Sequence, residues 1–122
     1  IYGAYVGTYK QKGANLLAII TNDGWWGNTS GHKQHVQYAA LRAIETRTWV
    51  ARSANTGISA VIDPLGNIVA QKGWNEKAVI KYSIPTKSTL TFYAKYGDWL
   101  YLIFSSFAGL LFIQGIYKRF KK

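Results

Sequence analysis

From Trp99 to Tyr117 the chain runs nineteen residues without a formal charge, WLYLIFSSFAGLLFIQGIY. No other feature narrows its folding options as much. At 1.5 Å per residue such a helix is roughly 28 Å long, close to the ~30 Å hydrocarbon core of a bilayer. Trp99 and Tyr101 stand at one end, Tyr117 and Phe120 at the other, where amphipathic rings settle at membrane–water interfaces. Ser105, Ser106, Gly109 and Gly115 are small enough to let another helix approach. The competing assignment is a buried core helix, but such a helix rarely ends in KRFKK. A membrane span over residues 98–117 is therefore expected, followed by a basic tail at 118–122. Its C-terminal position excludes a signal peptide. Basic residues beside a span stay cytoplasmic, which predicts Lys118 to Lys122 inside and residues 1–98 outside.

The tail also bears on the charge. Fifteen Lys and Arg against five Asp and Glu leave a net +10, a balance that suits phosphate backbones. Four of the fifteen (Lys118, Arg119, Lys121, Lys122) crowd behind the apolar run. The remaining eleven are scattered singly over residues 10 to 95, with no nucleic-acid motif, so no nucleic-acid partner is expected. There is no cysteine, which excludes a disulfide, a thiolate metal site or a cysteine nucleophile within these residues. With no methionine and Ile1 in first place, the chain is expected to be a fragment or a processed product.

Ahead of the span the pattern alternates. Tyr2, Val6 and Tyr9 at i, i+4, i+7, with Gly13 to end the run, predict a short helix. Asn15 to Thr21 reads as a buried strand. Val36, Ala39, Ala40, Ala43 and Ile44 share one face of a helix over about 33–48, and the alanines allow close approach to a sheet. Trp49 to Ala54 and Ile58 to Asp63 read as strands around Asn55-Thr56-Gly57. Asp63-Pro64-Leu65-Gly66-Asn67 is a turn by its residue chemistry. Ile68 to Gln71 and Ala78 to Ile84 read as further strands, and Lys87 to Gly97 as a connector. The order predicts a layered α/β or α+β domain with a covered sheet over residues 1–97.

Thr21 to His35, TNDGWWGNTSGHKQH, has neither strand alternation nor helical periodicity. Connections in compact domains usually take about 4–6 residues, and longer ones tend to be functional or disordered. It begins at a strand's carboxyl end, where ligands gather in open α/β sheets. Gly24 and Gly27 bracket Trp25 and Trp26, permitting turns that set large rings in a cleft; the alternative is that both rings cap the core. His32-x-x-His35 has a metal-capable spacing, but no adjacent carboxylate or thiol completes a set, so no metal is expected. The first turn of the next helix carries His32, Lys33 and His35 where the macrodipole favours acids. Free N–H groups there could accept an anion, with His32 and Lys33 as candidate phosphate contacts.

In order, TNDGWWG, GHKQHVQYAALRAIETR, SANTGISAVIDPLGNI and LTFYAKYGDW before the last helix resemble the C-terminal part of the apolipoprotein N-acyltransferase family. These are bacterial inner-membrane enzymes of the carbon–nitrogen hydrolase (nitrilase) superfamily. The likeness covers essentially all 122 residues. It departs where the family usually has Asn-Asp-Ala-Trp-Phe-Gly and this chain has Gly24 and Trp26, and at Phe92, commonly Pro.

The resemblance implies part of a four-layer α-β-β-α sandwich above a membrane domain. It implies transfer of an acyl chain from a phospholipid donor to the α-amine of a diacylglyceryl apolipoprotein acceptor, without a cofactor. The family's Glu–Lys–Cys triad would lie upstream of Ile1, so no catalytic residue is expected here and the isolated chain should be inactive. Asn22, Asp23, Trp25 and Trp26 match its substrate-binding loop. Two other readings remain: another membrane-tethered carbon–nitrogen hydrolase, or a non-catalytic single-span basic protein that docks on anionic lipid.

Overall fold

One helix packs on a face of a four-stranded sheet, and two further helices pack against that helix, in a computed structural model that describes residues 2–86 and 89–121. Helix α1 is Gly3–Gln11; strand β1, Leu16–Thr21; α2, Ser30–Thr46; β2, Trp49–Ala54; β3, Ser59–Ile62; β4, Ile68–Lys72; α3, Phe92–Tyr96; and α4, Trp99–Phe120. The strands lie in the order β1-β2-β3-β4, parallel between β1 and β2 and antiparallel beyond. The parallel pair is joined through α2, as parallel strands require a crossover.

The core forms where α2 meets the sheet. Val36, Ala39, Ala40 and Ala43 of α2 bury against Val50, Ala60 and Ile62, with Leu17, Ile19, Ile58 and Ile68 around them. Alanines carry the helix side of this contact, so the helix lies close to the strands. Burying Val50 and Ile62 contributes about 1.5–3 kcal/mol each. At the far end Asp63 Oδ1 accepts from Leu65 N and Asn67 N, and Gly66 takes φ 88°, closing the expected turn.

Three expectations need correction. β1 is not buried on both faces: Leu17 and Ile19 pack inward, while Ile20 is 89 % exposed on a face that no helix covers. Ala78 to Ile84 forms no strand; beyond Gly73 the chain turns through Asn75 at φ 54°. Ala78, Val79 and Ile80 then line a trough of about 420 Å³ over Ala18, Ala51 and Val61 on that open face. They cross that face and pair with neither edge strand, β1 or β4. The connector from 87 to 97 contains a helix, α3, capped by Thr91 Oγ1 accepting from Ala94 N; Lys87 and Ser88, like Ile1 and Lys122, lie outside the described residues. Smaller shifts affect α2, which starts at Ser30 because Thr29 caps it, and α4, which continues through Lys118 and Arg119. α4 buries none of its residues against the rest of the chain and is long and apolar enough to cross a membrane.

Candidate functional site

Because β1 and β2 run in parallel and in register, Thr21 beside Ala54, the loops leaving their carboxyl ends emerge together. Asn55 N donates to the Thr21 carbonyl at 2.9 Å and stitches the two exits. Between them Asp23, fully buried, takes three hydrogen bonds. Arg52 Nη2 donates to Oδ2 at 2.7 Å, His35 Nδ1 to Oδ1 at 2.8 Å, and Thr21 Oγ1 to Oδ1 at 3.3 Å. Arg52 Nη2 also lies 3.1 Å from His35 Nδ1. Since a guanidinium only donates and an ionised carboxylate only accepts, we assign the Nδ1 proton to the bond with Asp23. Arg52 Nη1 reaches the Ile58 carbonyl as well.

Burial alone would raise the Asp23 pKa, but hydrogen bonds from Arg52 and then His35, with their charges, hold it below the ordinary carboxylate value. A buried charge needs such pairing. Gly57 is required beside it, because a Cβ there would meet the Asp23 carboxylate, 2.8 Å from its Cγ.

The loop is wired from this anchor. Asn22 Oδ1 accepts from Gly24 N at 3.0 Å, opening a 3₁₀ turn over Gly24–Trp26. Gly27 closes it at φ 57°, a conformation side chains disfavour. Thr29 Oγ1 donates to the Trp26 carbonyl at 2.8 Å and caps α2.

The two tryptophans part here. Trp26 lies on the first turn of α2, so close that a Cβ on Gly31 would stand 2.7 Å from its Cγ, and meets the His35 ring edge-on at 5.0 Å. Trp25 is 87 % exposed.

His32 and His35 do not converge. His35 serves Asp23, whereas His32 is buried against Trp74, ring centroids 4.5 Å apart, with Nδ1 lacking a hydrogen bond. Of the two candidate phosphate contacts only Lys33 is exposed.

Asp23, Trp25, Trp26 and Asn22 are thus brought together in one loop. Sequence reasoning missed Arg52, His35's role and Trp74. A signal existed for the first: Val50 and Arg52 share the inward face of β2, and an inward arginine demands an acid. The acid stands 29 positions away, and nothing local connects them.

The chain is similar to known proteins. An apolipoprotein N-acyltransferase of Chlorobaculum tepidum is 36% identical over 111 residues, covering 91% of this chain and 21% of the relative. One from Rhodopseudomonas palustris is 48% identical over 79 residues, 65% of this chain and 15% of the relative. One from Bradyrhizobium diazoefficiens is 43% identical over 96 residues, 79% and 18%. The chain thus spans about a fifth of the length of these relatives or less. Residues 1–92 match the carbon-nitrogen hydrolase domain, and the chain belongs to the carbon–nitrogen hydrolase family.

Proposed function

We propose that the chain is the C-terminal part of an apolipoprotein N-acyltransferase, and that its Asn22–Gly27 loop walls the pocket where acyl chain and acceptor meet. One contrast supports this reading most. A loop anchored by a fully buried, doubly paired carboxylate presents a large apolar ring, Trp25, 87 % exposed against 43 % for Trp26, to the outside. A rigid frame holding an apolar surface at the carboxyl ends of parallel strands suits a lipid tail. Asn22 and Asp23 hold the loop's shape, Trp26 seats it on α2, and Trp25 meets substrate.

The chemistry belongs elsewhere in the longer protein. A cysteine thiolate would attack a phospholipid ester and form a thioester, releasing the lysophospholipid as its alcohol, and the acceptor's amine would then open the thioester to an amide and return the thiol. With no cysteine here, the isolated chain would turn nothing over. The open face of the sheet would rest on a second sheet from another part of that protein, giving the four-layer sandwich. α4 would cross the bacterial inner membrane, with residues 1–98 extracytoplasmic and residues 118–122 cytoplasmic.

The test is transfer itself. Full-length protein, given a phospholipid and a synthetic diacylglyceryl-cysteine peptide, should add one acyl chain to the peptide's amine. Trp25→Ala should lower kcat/KM about tenfold, roughly 1.4 kcal/mol of transition-state binding, with Tm unchanged. Lys33→Glu should raise the donor KM alone if Lys33 meets the donor phosphate. Hydrolysis of simple amides without acyl gain would make the protein another membrane-tethered carbon–nitrogen hydrolase. Neither activity would leave a non-catalytic membrane protein, and full activity in Trp25→Ala would remove the ring from the pocket.

A further inference from the structure

α3 is fastened to the body on one side only. Ala94 is buried against Gly7 of α1, and Gln11 Nε2 donates to the Ala94 carbonyl at 2.6 Å. Thr91 Oγ1 donates to the Glu45 carbonyl of α2. On the other side Phe92 and Tyr96 are 61 % and 53 % exposed, their rings 4.6 Å apart. The Phe92 ring also meets that of Trp99, the first residue of α4, edge-on at 5.9 Å. Positions 92, 96 and 99 therefore form one aromatic stripe that continues across the break at Gly97, φ 64°. Lys95 Nζ stands 5.1 Å over the Tyr96 ring at the rim of the stripe.

We infer that α3 is an interfacial anchor, with Phe92, Tyr96 and Trp99 lying in the headgroup layer of the phospholipid bilayer that α4 enters. The inference rests on reading α4 as a membrane span. Only Gly97 and Asp98 separate the two helices, and ring contact holds the stripe at the level where the apolar run begins. Aromatic rings with a polar tip favour that layer, and Tyr96 and Trp99 have one. Lys95 suits lipid phosphate. Since α3 is bonded to α1 and α2, anchoring it fixes the height of the body, and with it the loop that carries Trp25, above the lipid.

The experiment places p-benzoylphenylalanine, an aromatic replacement that spares the fold, at one position at a time in the full-length protein in its membrane. The positions are 92, 96, Leu65 in the exposed turn of the body, and Leu110 midway along α4. After irradiation, mass spectrometry reads phospholipid adducts. Adducts at 92, 96 and 110 but not at 65 are expected. Adducts at 110 without any at 92 and 96 overturn the anchor and leave the span standing. Equal yields at 65, 92 and 96 overturn it too, because the stripe is then no nearer lipid than the body. A protein adduct in place of lipid at 92 and 96 makes the stripe a protein-docking face. No lipid adduct at 110 overturns the span and the anchor together.

Discussion

Asp23 and Trp25 are two residues apart and have opposite surroundings: one is sealed inside, the other almost wholly outside. On the proposed function the first makes the second useful, because a ring on a slack loop would lose rotational and backbone freedom on meeting a lipid chain. Asp23 acts here as a positioning residue through its charge, and that can be read from pH. Its carboxyl is held below the ordinary value, so the stability it contributes is fully present above the unfolded pKa of about 3.9 and is lost as pH falls through the lower folded value. Asp23→Asn leaves Arg52 buried without its counterion, a change that costs about 3–5 kcal/mol in comparable pairs. In the full-length protein the variant's Tm should therefore lie well below wild type between pH 5 and 8, with the gap closing below about pH 4. A gap that stays constant with pH would make Asp23 a steric fixture. The loop stands out by its composition, since tryptophans and glycines in an aperiodic stretch are unusual. The division of labour was not legible there, because it depends on Gly31 lying under Trp26, a contact no spacing rule encodes.

Among the elements, β1 shows best what the chain leaves open. Its alternation puts Leu17 and Ile19 on the helix face and Ala18 and Ile20 on the bare one. A run with apolar residues at both parities is what a strand covered on both faces carries, and LLAII reads that way. Sequence reasoning therefore read a buried strand, and the structure covers one of its faces. The same reasoning placed β2, β3, β4 and the turn at 63–67 because local chemistry decides them. It failed at Ala78 to Ile84 and at α3, where tertiary surroundings decide: the first crosses the open face of the sheet instead of joining an edge, and the second is a five-residue helix held by Thr91 and Gln11. If a second sheet covers the open face, Ile20→Asp buries an unpaired charge and should lower the full-length protein's Tm sharply. On a solvent-facing strand the same change stays within about 0.5 kcal/mol. An unchanged Tm would remove the sandwich.

At the scale of the whole molecule, the proposed function makes this chain a frame, a substrate wall and a membrane tether, and puts the nucleophile in another part of the longer protein. Membership in the carbon–nitrogen hydrolase family and the absence of cysteine from all 122 residues support that reading. Trapping the acyl-enzyme tests it most directly. Full-length protein would be incubated with phospholipid and no acceptor, quenched, digested and mapped by mass. The acyl group should sit in thioester linkage on a cysteine peptide outside residues 1–122, and vanish when acceptor is added. An acyl group on Ser30, or on any other residue of this chain, or transfer that proceeds with no acyl-cysteine formed, would contradict the account.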